Sequence, residues 1–447
     1  MTDAPTSLSP LVRQMLRMVQ NDEPTVEEAA VRLVSCAELL LWLVDAHRLR
    51  SDQIDRNFLR KWATLLSRPE PRSEADHRPG VAQYSNDTVL QSSTRFFVTA
   101  QDTTLDHYFR RIRNNVSQDE FGLQVPGLEG ASWTAFSRYR RLVAPILARL
   151  GPRASRFNCF LGDYARTPFG VHFDPHHLHS FQYVVHGTKT LRAWRPSDLV
   201  RRLGEAAAVA ILRNPTKAHE MLPRAPDLVG RPGALIYWPG RYVHCLEAVG
   251  PSAGLGVIFD SKAASLEAAL QAELGRLNLP TRKAGHDRPR HARPGSTVGL
   301  ERDREWVSAQ VASSEFWRTV AHAELLERSR LGSYAYPELR ETEELRDRDR
   351  LEPRDSASPR IVYRHFEGVT LLGVNGHGAK AKWKSLRSQR DITRFLAFVN
   401  QTSGFRVGDV LKRFSRGSSQ GSAFLSSLLT FFVAAGAFDR LPTEAHP

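Results

Sequence analysis

The chain has 447 residues, with 62 Lys and Arg against 48 Asp and Glu, a net charge of +14 and an isoelectric point near 10.0. With 41% hydrophobic and 25% charged residues it suits roughly two to four packed units rather than a disordered or fibrous chain. No run approaches the ~18 apolar residues of a membrane span, and the start, Met1-Thr2-Asp3-Ala4-Pro5, lacks a basic or apolar signal region.

Cys36, Cys159 and Cys245 are far apart and form no CxxC, so neither a disulfide framework nor a zinc knuckle is expected and a reducing cytoplasm is the expected setting. The positive charge would attract nucleic acid, ribosomes or acidic peptides. It is spread along the chain, as in any Arg-rich surface, and its densest segment, 282–293, also carries Pro and Gly and reads as a linker.

In chain order, residues 8–68 predict helices. Leu11, Met15 and Met18 recur at helical spacing, and Thr25-Val26-Glu27-Glu28 has the look of an N-cap with acidic first-turn residues. Residues 69–90, rich in Pro, Arg, Ser and Asp, predict loop. A helix over 133–150 precedes candidate strands at 156–161, 170–173, 180–185, 188–194, 234–238 and 254–259, with an apolar segment over 198–212 between them. Many short strands with turns between them predict a barrel or sandwich.

Helical patterns return at 262–278 and 301–345, the latter with Trp306, Val311, Phe316, Val320 and Leu325 on one face and a Pro/Arg/Gly/His linker before it. The last part holds a strand at 369–374, then helices at 391–400, 405–414 and 422–435, and predicts a small winged-helix-like module. The expected division is a helical N-terminal region (1–90), a strand-rich central domain (91–262), a helical region with a basic linker (263–358) and the C-terminal module (359–447).

The chemistry concentrates in Gly170-Val171-His172-Phe173-Asp174. Residues i and i+2 of a strand face the same side, so His172 and Asp174 can offer an imidazole and a carboxylate to one ion. His244, in Tyr237-Trp238-Pro239-Gly240-Arg241-Tyr242-Val243-His244, is the candidate third ligand. Two histidines and a carboxylate on one face leave three positions open, as non-haem Fe(II) oxygenases require. After Asp174, Gly187 is expected to turn the chain tightly, and Lys189 opens the next strand among apolar residues. A lysine buried there needs a negative partner; the plainer reading is a lysine at a hairpin end reaching solvent.

Three segments, taken in order, resemble the cupin-like JmjC oxygenases, and especially the ribosomal-oxygenase group of protein hydroxylases. They are His172-Phe173-Asp174, the stretch Gly187-Thr188-Lys189-Thr190-Leu191-Arg192-Ala193-Trp194, and Pro232-Gly233-Ala234-Leu235-Ile236-Tyr237-Trp238-Pro239 running on to His244. The resemblance covers about 150–260. It implies a mostly β catalytic core, a double-stranded β-helix of the cupin type, with flanking helices, a helical dimerisation region and a C-terminal winged helix.

It further implies that His172, Asp174 and His244 hold Fe(II) and that Lys189 pairs with the distal carboxylate of 2-oxoglutarate. O2 and 2-oxoglutarate would then become succinate and CO2 as a side chain in a protein or peptide is hydroxylated. Ser180 and Gln182, at alternating positions on the strand after the motif, are candidate pocket residues, and Tyr164 and Tyr183 could shape the same pocket. The sequence departs from the family in a longer interval around His176-His177-Leu178-His179, in Phe169 and in Ala234. The three histidines read as a substrate-entrance loop before a second metal site. The alternative from another class is a catalytically silent cupin-like protein that binds nucleic acid as a regulator.

Overall fold

The computed structural model describes residues 8–48, 82–85, 88–90, 96–115, 120–151, 154–165, 170–174, 178–208, 222–223, 225–260, 314–329, 331, 333, 335–337, 339–354, 361–366, 369–382, 388–415 and 417–441. They form mixed helix and antiparallel sheet in two compact units.

The first unit begins with α1 (Pro10–Asn21), whose cap Ser9 accepts from Val12 N–H and whose Leu11, Met15 and Met18 are buried, as their spacing predicts. The next segment departs from expectation. Thr25–Glu28 is a strand, β1, laid along the edge of a later strand. The helix starts instead at α2 (Cys36–Arg48), where Ser35 and Glu38 form a reciprocal capping box: Glu38 N–H donates to Ser35 Oγ and Ser35 N–H to Glu38 Oε2. The short strands β2 (Ala82–Ser85) and β3 (Thr88–Leu90) occupy part of the expected loop. Then come α3 (Leu105–Asn115), β4 (Phe121–Pro126) and α4 (Trp133–Leu150), the last with the predicted bounds and Ser132 as its cap.

The sheet continues through β5 (Ala154–Asp163), β6 (His172–Phe173) and β7 (Leu178–Trp194), then α5 (Pro196–Leu203), β8 (Leu228–Gly230), β9 (Ala234–Pro239) and β10 (Val243–Asp260). The strand order is β1-β9-β7-β10-β5-β4-β2-β3, with β6 also on β10 and β8 also on β7. One face of β4, β5, β7 and β10 buries Phe121, Leu123, Phe157, Cys159, Phe181, Tyr183, Leu255 and Val257 against α1, α2, α3 and α4. Alternation on the strands and helical spacing on the helices thus build one core from two periodicities. Residues 331–337 belong to this unit: Ser333 donates to the buried Glu129 carboxylate and Ala335 packs on Gly130.

Gly187 is not a hairpin turn. The two strands expected at 180–185 and 188–194 are one 17-residue strand, β7, running beside the 18-residue β10. The ladder slips between Val249 and Ala253 and again between Ala253 and Gly254, opposite Val184–Thr188. This irregularity changes the parity of β7. Tyr183 and Val185 enter the main core, while Val184 and Leu191 share a second cluster with Ile236, Trp238 and Leu246. In an unbroken strand, residues 184 and 191 would face opposite sides; the bulge returns them to one side. Gly187 sits at φ 69°, and a Cβ there would lie 2.1 Å from the Pro251 carbonyl oxygen. Gly187→Ala is therefore expected to destabilise the unit by at least about 2 kcal/mol. Urea denaturation checks this; a loss under about 0.5 kcal/mol would mean the bulge tolerates a side chain there.

The second unit holds α6 (Ser314–Ser329), β11 (Arg350–Pro353), an antiparallel sheet of β12 (Val362–Phe366), β13 (Val369–Val374) and β14 (His377–Lys382), then α7 (Gln389–Gln401), β15 (Phe405–Arg406), α8 (Val407–Ser415), α9 (Ser419–Ala434) and β16 (Phe438–Leu441). Strands β15, β11 and β16 form a second small sheet. Ile392, Phe395, Leu396, Val399, Leu425, Leu429 and Phe432 fill its core. Within the expected helix at 301–345 only Ser314–Ser329 is helical among the described residues; Phe316, Val320 and Leu325 are its buried face, and the described residues between Leu331 and Leu345 are not helical. Trp306, Val311 and the patterns at 262–278 and 282–293 lie outside the described residues. Among the described residues no helix is long and apolar enough to cross a membrane.

Candidate metal centre

His172 opens β6 and Asp174 follows it by two residues. In the antiparallel ladder His172 pairs with His244 of β10, and the two rings meet with centroids 4.4 Å apart. The ligand atoms of His172, Asp174 and His244 lie within 4.8 Å of one another, and the nearest His244–Asp174 approach, Nε2 to Oδ2, is 3.8 Å. Strand register therefore brings His244 to a His-x-Asp pair that lies far from it in the sequence.

Each ligand is held by a neighbour. His172 Nδ1 lies 3.1 Å from the Gly170 carbonyl and His244 Nδ1 lies 3.0 Å from the Tyr242 carbonyl. A carbonyl only accepts, so in each ring Nδ1 carries the proton and Nε2 is left with its lone pair. Asp174 Oδ2 accepts from Ser180 Oγ at 3.2 Å and from Trp238 Nε1 at 3.3 Å. The Trp238 ring also lies 5.2 Å from that of His244.

The electrostatics sort the protonation states. Burial alone would raise the Asp174 carboxyl, but His244, His172, the Trp238 N–H and Arg156 outweigh it and hold the group below the usual carboxylate range. Burial, and then His172, push His244 down to about 4 against the pull of Asp174. A neutral buried imidazole facing an ionised carboxylate is the form in which both bind a metal. Two nitrogens and one oxygen on one side suit a divalent first-row metal with open positions.

Lys189 lies on the same inner face because of the bulge at Gly187. It is 1% exposed, its Nζ donates to Tyr164 Oη at 3.0 Å, and the Tyr164 ring centroid is 5.1 Å away. Among the described residues no carboxylate pairs with it. The solvent-reaching lysine of a hairpin end is thus excluded. Gln182 lies near Lys189, both side chains approaching Gly254. Gln182 Nε2 and Asn158 Oδ1 are buried without a hydrogen-bond partner among the described residues. Gln182 and Asn158 stand in one row of the sheet, on either side of Gly256.

Of the other expected residues, Ser180 and Gln182 both line this face, whereas Tyr183 belongs to the main core. Cys245 turns away from the three ligands into a cluster with Val171, Trp194 and Leu199, as an extended segment requires. Ala234 is half-buried at the start of β9 opposite Glu28. His179 meets the Tyr237 hydroxyl at 2.9 Å; His176, His177 and Phe169 lie outside the described residues. The sequence reading missed Trp238, Asn158 and Gly254. Trp238 lies in Tyr237-Trp238-Pro239, but nothing in that motif marks an indole as a donor to Asp174.

No family model matches the chain, and no curated protein matches it. Among solved structures it is similar to the Escherichia coli ribosomal oxygenase YcfD, at 12% identity over 95% of this chain and 98% of that one, with a TM-score of 0.47. YcfD in complex with cobalt and 2-oxoglutarate matches at 12% identity over 96% and 98%, with a TM-score of 0.46. An 11S globulin from Wrightia tinctoria matches at 18% identity over 27% and 23%, with a TM-score of 0.17.

Proposed function

We propose that this protein is an Fe(II)- and 2-oxoglutarate-dependent oxygenase of the cupin-like JmjC type that hydroxylates a side chain in a protein or peptide. The observation that carries the reading is the pairing of two anchored imidazoles and an ionised carboxylate with a buried lysine that has no carboxylate partner among the described residues. The triad answers to a metal and the lysine to an anion, on the same face of one sheet. A cupin that used the metal without 2-oxoglutarate would leave Lys189 buried for no purpose.

In this reading His172, Asp174 and His244 hold Fe(II) on one side, and Lys189 takes the distal carboxylate of 2-oxoglutarate. Fe(II), 2-oxoglutarate and O2 together supply the oxidising power, with succinate and CO2 as co-products. The chain's own residues do the rest. Ser180 and Trp238 fix the Asp174 carboxylate, and the Gly170 and Tyr242 carbonyls fix the two imidazoles. Val184, Leu191, Ile236, Trp238 and Leu246 supply an apolar wall that limits water.

Strands β4 to β10 of the first unit's antiparallel sheet are read as the double-stranded β-helix, over 91–262. Helices α7, α8 and α9 with β15 and β16 are read as the winged helix, over 359–447, and 263–358, which lends β11 to the same small sheet, as a region through which two copies pair. The strongly basic chain would tolerate a ribosomal setting, which favours a protein substrate near RNA.

The test is turnover. Purified protein with Fe(II), ascorbate and air should convert 2-oxoglutarate to succinate, read by proton NMR, and a substrate from a panel of ribosomal-protein peptides should speed this and gain one oxygen atom in mass. Metal-loaded, folded protein that makes no succinate under any of these conditions sinks the oxygenase reading.

A further inference from the structure

Three side chains with hydrogen-bond donors to spare crowd onto a floor of glycine. A Cβ on Gly254 would lie 2.0 Å from Gln182 Nε2 and 3.1 Å from Lys189 Cε, so both side chains lie across the bare backbone of β10. A Cβ on Gly162, on the neighbouring strand β5, would lie 2.7 Å from Tyr164 Cδ1. Any other residue at Gly254 must push the Gln182 amide or the Lys189 stem aside. The glycine is therefore a condition for the two to meet.

Among the described residues, most of their hydrogen-bonding capacity is unspent. Lys189 has three N–H bonds and uses one on Tyr164, whose hydroxyl hydrogen is then free to point elsewhere. Gln182 is 1% exposed and its Nε2 has no partner among the described residues. A buried donor left unmade costs about 1–3 kcal/mol, so such a group is expected to meet an acceptor when the pocket is filled. A neutral donor beside an ammonium, with a hydroxyl on its other side, matches the two oxygens of a carboxylate.

We propose that Gln182 is a positioning residue for the cosubstrate's distal carboxylate, joining Lys189 and Tyr164 as a third donor. Gly254 sets its reach, so the pair decides selectivity for 2-oxo acids that carry a second carboxylate. This rests on the oxygenase reading above. Gln182→Met keeps the shape of the side chain and removes the N–H donors. Gly254→Ala keeps the donors and displaces them.

Calorimetric titration of 2-oxoglutarate and of pyruvate, which lacks the distal carboxylate, into Co(II)-loaded protein separates the contributions. Quenching of tryptophan fluorescence by Co(II), through Trp238 beside His244, reads the metal independently. Gln182→Met is expected to weaken 2-oxoglutarate about 10-fold and to change pyruvate less than about two-fold, with Co(II) affinity unchanged. Gly254→Ala should act in the same direction. Because Gln182→Met removes a buried Nε2 donor that has no partner among the described residues, the ligand-free protein should melt no lower than wild type, the reverse of what a merely structural glutamine would give. An unchanged affinity for 2-oxoglutarate, or an equal loss for both acids, overturns the proposal while leaving the oxygenase reading intact. Wild-type protein that binds no Co(II), or binds it but no 2-oxoglutarate, defeats the oxygenase reading and this proposal with it.

Discussion

His244→Ala is expected to abolish the Fe(II) chelate. Wild-type protein held without oxygen, given Fe(II) and then 2-oxoglutarate, should develop a visible metal-to-ligand charge-transfer band; the variant should show none, with metal affinity lower by on the order of 100-fold or more. The size follows from geometry. His244 is buried, its Nδ1 is committed to the Tyr242 carbonyl, and its Nε2 is the atom that faces Asp174. Removing it leaves one imidazole and one carboxylate, which cannot occupy three positions of one octahedral face. Ordinary loss of packing has to be separated from loss of the ligand, and Cys245→Ala does this. Cys245 is the next residue, is equally buried, and faces Val171 and Trp194 instead of the site. It should cost some stability and keep the band. A band that survives in His244→Ala, or vanishes in Cys245→Ala with the fold intact, would show that the three-residue assignment is wrong.

The meeting of His172, Asp174 and His244 was legible in the sequence because it depends on short-range rules. An i, i+2 pair on a strand points one way whatever the strand pairs with, and a histidine at the start of the next long strand needs only the antiparallel register to reach it. The shape of the pocket was not legible. Gly187 read as a hairpin turn because a glycine with positive φ serves a turn and a bulge equally well. Only the partner strand decides between them. That partner was itself half hidden: Gly250-Pro251-Ser252 looks like a loop, so β10 was expected only from 254, whereas it begins at Val243. The same error hid the change of parity that puts Lys189 on the face of Gln182. Thr25–Glu28 failed for a different reason. Its Thr and Val favour a strand as much as its two glutamates favour a helix start, and the free edge of β9 settled it.

Lys189→Met should separate stability from function. The lysine is 1% exposed and leans on a phenol rather than a carboxylate, so the ligand-free protein carries a desolvated ammonium with little compensation. Methionine has nearly the same length and volume and no charge. The ligand-free variant is therefore expected to be more stable than wild type by about 1–2 kcal/mol. Lys189→Ala would not show this, since the cavity it leaves offsets the gain. Tyr164→Phe should go the other way, because it removes the ammonium's one acceptor among the described residues and leaves the charge in place.

Adding metal and 2-oxoglutarate should reverse the order. Wild type gains about 2.7 kcal/mol at a hundred times the dissociation constant. Lys189→Met, binding on the order of 100-fold more weakly, gains only about 0.4 kcal/mol at the same concentration. Urea denaturation with and without both ligands reads all four states. If methionine destabilises the ligand-free protein by more than about 2 kcal/mol, Lys189 is a structural group satisfied within the fold, and its place in the cosubstrate pocket falls. If methionine stabilises and the ligand gain persists undiminished, the anion is held elsewhere. Only the crossing of the two orders fits a lysine kept buried, at a standing cost to the empty protein, for a carboxylate that arrives with the cosubstrate.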